Sequence, residues 1–328
     1  MPTRILIATG EVVYVVDADG GVAARAEAFD ANRPFCLAAS PAGGVALCGT
    51  AGHGVLRSDD AGHTWKPSGL EGEHVTAVTV SPSDPAVVWA GTEPSAVWRS
   101  DDAGTHWTRC EGLLDLASSA EWSFPPRPET HHVRWIAVHP TDADRLWVAI
   151  EAGALVSTPD GGQTWTDRVA GGPYDTHELA VHPGAPEHLY SAAGDGYFES
   201  LDGGRTWASP AEGLDIGYLR SVAIDPGDST VVVVSAASHP HAAYRAGRSD
   251  GRLYRRTGAG AWRRITAGWP DQPSTIAPLL VADPVSGALV AADERGVHRS
   301  NDGGRRWERM VEFPAPVEYL WGLAVARA

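Results

Sequence analysis

The sequence predicts an all-β fold: a single seven-bladed β-propeller of four-stranded antiparallel blades. Three observations carry this expectation. A short motif ending in tryptophan recurs along the chain, each recurrence follows the same order of apolar strands and polar turns, and the two chain ends read as complementary parts of one unit. The composition agrees, because 37 glycines and 24 prolines punctuating short Val-rich runs suit strands and turns rather than long helices.

The motif is Ser/Thr-x-Asp-x-Gly-x-x-Trp. It stands as RSDDAGHTW ending at Trp65, RSDDAGTHW at Trp107, STPDGGQTW at Trp165, ESLDGGRTW at Trp207 and RSNDGGRRW at Trp307. Degenerate copies near Asp17 and Trp262 fill the gaps, so seven units follow one another at intervals of roughly 40–60 residues. Within a unit, a first strand (VTAVTV) ends in a turn (SPSDP). A second strand (AVVWAGT) and a third (AVWRS) follow, then the Asp motif and a fourth strand. The chain starts on RILIATG, which matches a second strand, and finishes on YLWGLAVARA, which matches a first. Residues 1–30 and 316–328 are therefore expected to form one blade, closing a domain of residues 1–328 without an open edge.

Each motif residue has a structural task. The Asp accepts backbone N–H groups and locks a turn, the Gly allows positive φ, and the Trp buries a large ring beside the next blade. A catalytic group is needed once, whereas this motif recurs in nearly every unit, so its carboxylates read as architecture. At these residues the chain resembles the Asp-box (bacterial neuraminidase repeat, BNR) propellers, within the WD40/YVTN/BNR-like group. Sialidases, two-domain xyloglucanases, sortilin-type receptors and photosystem II assembly factors belong to that superfamily. The resemblance spans essentially the whole chain. It implies that the Asp motifs sit on third-to-fourth-strand turns, on the face away from the ligand site. It does not imply one activity. The chain departs from sialidases in having seven units and no early Phe/Tyr-Arg-Ile-Pro motif; FPPRP, residues 124–128, falls in another unit. Xyloglucanases place their acids between two propellers, a cleft that one propeller lacks.

Charge narrows the partners. With 26 basic against 41 acidic residues the net charge is −15, which disfavours nucleic acid. No apolar run approaches a membrane span and the first residues lack a signal-peptide core, so the expected location is cytoplasmic and no membrane partner is expected. Cys36, Cys48 and Cys110 are expected as free thiols.

The repeat also predicts where a site lies. First strands line the channel of a propeller, and alternate residues face it. Aligning the seven on Ser40, Ser81, His139, His182, Asp225, Asp283 and Ala326 gives two channel-facing rings. The mouth ring is Arg33, His74, His132, Asp175, Tyr218, Ile276 and Tyr319; the second is Phe35, Thr76, Arg134, His177, Arg220, Pro278 and Trp321. His131 and Trp135 fall on the opposite strand face, while His139 and His182, each before proline, read as turn caps. The two longest loops, residues 110–131 and 238–251, belong to the same face over blades four to six. Second-to-third-strand loops add His53, Glu93, Glu151, Asp195, Tyr197, His239, His241 and Glu294.

Three chemistries fit these residues. Arg134 and Arg220, with Arg33, are suited to clamp an anion, because a guanidinium bonds an oxyanion twice. His132, His177, Asp175, Glu151 and Tyr218 would then move protons, and Tyr174, His239, His241, Tyr319 and Trp321 would contact substrate. Alternatively His132, His177 and an acid hold one divalent metal ion. Or the charges only solvate a wet opening and pair with one another. The expected function is a hydrolase- or lyase-like enzyme acting on a small anionic or carbohydrate-like ligand. The alternative is a non-catalytic scaffold that binds a protein or peptide across the same face.

Overall fold

The computed structural model describes residues 3–17, 20–25, 33–245, 247, 249–270 and 275–327. Residues 1–2, 18–19, 26–30 and 328 of the expected first blade lie outside them. Seven antiparallel sheets form the blades of an all-β propeller. In the first blade Gly322–Arg327 is the inner strand, paired antiparallel with Thr3–Ala8 from Thr3↔Arg327 to Ala8↔Gly322. The other inner strands are Pro34–Ala39, His74–Val80, Val133–His139, Thr176–His182, Tyr218–Asp225 and Leu279–Asp283.

Blades four and five depart from the expected four strands: each sheet has three, and the fourth shrinks to one bridge, Ser157↔Thr166 or Glu199↔Ala208. Local sequence explains this. Asp167, one residue past the first bridge, accepts from the backbone and hydroxyl of Ser118 and is drawn out of the ladder. Pro210, two residues past the second, has no N–H to donate.

The core lies between blades. Leu146, Val148 and Ile150 face blade three, whereas Trp147 and Ala149 on the same strand face blade five. A two-sided strand of this kind is apolar at every position, which is why periodicity alone shows a continuous Val/Leu run. Each repeat tryptophan packs against the preceding blade: Trp65 against blade one, Trp107 against blade two, Trp307 against blade six.

The Asp turns repeat in atomic detail. Ser58 Oγ donates to Asp60 Oδ1 (2.8 Å) and accepts from Gly62 N (2.8 Å), and Asp60 Oδ1 accepts from Thr64 N (2.8 Å). The turns at Asp102, Asp160, Asp202 and Asp302 repeat the Ser/Thr and backbone bonds. The Asp60→Ala substitution removes two acceptor oxygens from such a turn. It is expected to cost about 1–2 kcal/mol, measured by chemical denaturation.

Among the described residues, no helix is long and apolar enough to cross a membrane. The three cysteines are free thiols. Burial raises Cys36 to about 12 and Cys110 to about 11, which marks them as packing residues rather than nucleophiles.

Candidate functional site

The second channel-facing ring has a structural cause. In blades two to six the inner strand shifts register across Phe35, Thr76, Arg134, His177 or Arg220, so each is the extra residue of a β-bulge. A bulge resets the alternation, and the next residue then also lines the channel, as Cys36, Ala77, Trp135 and Glu178 do. The expectation that Trp135 faces away from the channel is thereby corrected. The channel cavity at this level is only about 30 Å³, room for a water or two but not for a substrate.

Polar side chains at this level stitch neighbouring inner strands together. Thr76 Oγ1 donates to Val133 O (2.7 Å), Trp135 Nε1 to Leu179 O (3.0 Å), and His177 Nδ1 lies 2.6 Å from Leu219 O. Arg220 goes furthest. It donates to Ala277 O at 2.6 Å, to Ala243 O at 3.3 Å and to Leu320 O, and its guanidinium lies 4.5 Å from the Tyr244 ring centre. Those donors serve backbone from three parts of the chain, so Arg220 is a clamp on the protein rather than on a ligand. Burial lowers it to about 10.

Above this layer the mouth holds a compact polar cluster. His132 Nε2 lies 2.8 Å from Glu151 Oε2, and Arg134 Nε is 3.2 Å from the same oxygen. His177 Nε2 stands 4.0 Å from Glu151 Oε1, 3.6 Å from Asp175 Oδ2 and 3.2 Å from the Tyr218 hydroxyl. A carbonyl only accepts, so His177 Nδ1 carries a proton toward Leu219 O and Nε2 is turned to the mouth. His177 is fully buried and Asp175 is 23% exposed, so the cluster opens on the acid side. Burial would raise Glu151, but the His132 hydrogen bond and the Arg134 charge outweigh it and hold the carboxyl at about 2. Asp175 moves up: burial raises it, His177 opposes, and the Glu151 carboxylate adds to the rise.

The structure thus brings together His132, Arg134, Glu151, Asp175, His177 and Tyr218. It places the other candidates elsewhere. Arg33 and Tyr319 line an open groove of about 710 Å³ over blades one and two. Trp321, stacked on Phe35 and Tyr319, borders both that groove and the channel cavity, where its ring also lies along Tyr244. Tyr174 is an exposed rim residue under Arg168. His239 accepts from Ala242 N as the cap of a short helix, Pro240–Tyr244, and His241 lies exposed on it. Tyr197 is buried in the core between blades five and six, and Glu294 is buried, accepting from Ile276 N. His139 and His182 accept from Thr141 N and Gly184 N, as turn caps do. The histidine pair considered for a metal, His132 and His177, straddles Glu151 with His132 Nε2 committed to it. The donors that converge are instead Glu151, Asp175 and His177, one atom of each within 4.8 Å of the others.

Sequence reasoning missed Tyr244, Arg127, Phe124 and Glu178. Tyr244 reaches the cluster from the short helix, its ring edge-on to His177 (6.4 Å) and Tyr218 (6.3 Å); the signal was a proline following a capping residue, His239-Pro240. Arg127 grips Glu93 through two bonds (2.9 and 2.6 Å), and Phe124 packs edge-on against His132 at 4.7 Å, so the 110–131 loop seals one side of the cluster.

No known family profile matches the chain, and no curated protein matches it in sequence. Solved structures do. An ancestral GH74 enzyme superposes with TM-score 0.65 at 18% identity, over 92% of this chain and 39% of its own. A GH74 xyloglucanase from Xanthomonas campestris gives 0.65 at 20%, over 98% and 53%. YCF48 bound to D1 peptide gives 0.60 at 15%, over 94% and 85%. The likeness is one of fold. This chain spans only 39% and 53% of the two GH74 proteins, so their activity does not transfer with the architecture.

Proposed function

We propose that the channel mouth over blades four to six is the active site of a hydrolase- or lyase-like enzyme acting on a small anionic or sugar-like substrate, on a propeller of the Asp-box type. The observation that carries this reading is the convergence of Glu151 with His132, Arg134 and His177, and of His177 with Asp175 and Tyr218, at 2.8–4.0 Å. Residues from three neighbouring blades, four, five and six, meet at one opening, as proton transfer requires. Glu151, held ionised by its partners, is a weak base and instead stabilises positive charge on His132. Asp175, whose carboxylate faces the opening 3.6 Å from His177, is placed as the base. Tyr218 and His177 form a hydroxyl–imidazole pair that can deliver a proton, and Arg134 supplies positive charge beside the developing anion.

The test is turnover. The wild-type chain is screened against uronates, lactones and small glycosides, and Glu151→Gln is compared on whichever is consumed. The variant is expected to lose about 10²–10⁴ in kcat with the fold retained by circular dichroism. Equal rates in the two proteins would remove the reading.

One observation favours the scaffold alternative: Arg127, Arg134 and Arg220 are each engaged within the protein, and the larger open volume is the groove over blades one and two. A peptide-binding scaffold would place its partner in that groove. Substituting Tyr319 by alanine would then weaken peptide binding, read by titration calorimetry, while Glu151→Gln would leave it unchanged.

A further inference from the structure

We propose that Glu151, Asp175 and His177 form a binding site for one divalent metal ion at the channel mouth. The proposal rests on the catalytic reading of the same opening and revises it. A metal-bound His177 no longer shares a proton with Tyr218 and leaves that hydroxyl as the proton donor; the test needs no turnover. Each of the three side chains is anchored through the atom that a metal would not use. Glu151 Oε2 is taken by His132 Nε2 (2.8 Å) and Arg134 Nε (3.2 Å), which leaves Oε1 toward His177. Asp175 Oδ1 accepts from Ala152 N (2.8 Å), which leaves Oδ2 toward the same imidazole. His177 Nδ1 is held by Leu219 O (2.6 Å), which presents Nε2 to both. A histidine oriented by a backbone carbonyl and carboxylates fixed by outer partners are the supporting shell that metal ligands carry.

The distances fit after a small closure. A cation about 2.0–2.2 Å from each donor needs donors about 3–3.5 Å apart. The two oxygens stand 4.0 and 3.6 Å from His177 Nε2 and the three donors lie within 4.8 Å of one another, so binding draws them together by a few tenths of an ångström to at most about 1.3 Å. The Tyr218 hydroxyl, 3.2 Å from Nε2, gives up that contact when a metal takes the lone pair.

Gly194 protects the geometry. A Cβ there would lie 2.0 Å from Asp175 Oδ2 and 3.1 Å from the Tyr218 ring, so only glycine leaves the carboxylate its position. Two carboxylates and one imidazole suit Mn²⁺ or Zn²⁺, with water completing the shell. Asp195, whose carboxylate accepts from the Tyr174 and Asp175 amides, adds negative charge at the rim.

The experiment uses the full chain stripped with EDTA and titrated with Mn²⁺, with free ion followed by electron paramagnetic resonance and Zn²⁺ used as competitor. One equivalent of Mn²⁺ is expected to bind. His177→Ala and Asp175→Asn should each weaken uptake by at least about tenfold. Gly194→Ala should weaken it too while its circular dichroism stays that of the wild type, which separates displacement of Asp175 from misfolding. His139→Ala, at a turn cap, is the control and should bind as the wild type does. Absence of uptake by the wild type, or equal uptake by the two ligand variants, overturns the site. Saturable binding with no turnover in the substrate screen would keep the metal site and remove the catalytic reading. Turnover indifferent to EDTA, with no uptake, would do the reverse.

Discussion

The Arg220→Ala variant is expected to lose about 3–5 kcal/mol of stability, the range for breaking a buried charged interaction on one side. The reason is topological as much as chemical. One guanidinium serves Ala243 O on the blade-six helix, Ala277 O at the start of blade seven and Leu320 O ahead of the closing strand. These carbonyls lie up to 100 residues from Arg220 in sequence. Alanine leaves buried acceptors without donors, each costing about 1–3 kcal/mol, offset in part because a buried charge near Arg134 is also removed. Urea denaturation measures the change. Arg220→Lys should recover only part of it, since an ammonium lacks the planar fork that reaches both sides of the channel. A loss under about 1 kcal/mol for the alanine variant would mean that the seam does not depend on this side chain.

The second large effect is pH-dependent and centres on Glu178, the residue after the blade-five bulge. It is buried, with Ser221 Oγ as hydrogen-bond donor and the Arg134 and Arg220 charges nearby. Burial dominates these and raises its carboxyl from 4.5 to about 8. The folded chain therefore binds more protons than the unfolded chain between those values. Stability falls as pH rises through that interval and levels off above about 8. The ceiling on this loss is about 5 kcal/mol, from the difference between the two values. Glu178→Gln keeps the shape and removes the titration. Relative to the wild type it should be nearly neutral near pH 5 and more stable by up to a few kcal/mol near pH 9, read from denaturation midpoints across pH. Parallel pH profiles for the two proteins would show that Glu178 is already ionised at neutral pH.

How far the chain could be read in advance differs between the blades and the mouth. The Asp60 turn is local: its donors and acceptors lie within four residues, so Ser-x-Asp-x-Gly spells out its own hydrogen bonds. The blade order and the closing pair Thr3–Ala8 with Gly322–Arg327 follow from repetition, since each unit must bury its apolar faces against the next. The second-ring residues were legible as channel-facing, but not in their purpose. Arg134 and Arg220 occupy equivalent bulges, yet one lies beside the Glu151 carboxylate and the other holds three carbonyls. Nothing in their spacing distinguishes them. Tyr244 was hidden by the short helix that brings it over Arg220, and Phe124 and Arg127 by the way a long loop folds back.

The sequence by itself determined an all-β propeller of seven blades, the turns that end its hairpins, and the strands that line its channel. Those features rest on interactions within one unit or on a pattern that recurs from unit to unit. Only the tertiary structure decided which polar residues at the mouth meet one another. It turned His132 to Glu151, spent Arg220 on backbone, and set Glu151, Asp175 and His177 around one point. The physical reason is separation along the chain. The pairings that decide chemistry here, such as His177 with Leu219 O and Arg220 with Leu320 O, span 42 and 100 residues and depend on where bulges and loops place each side chain.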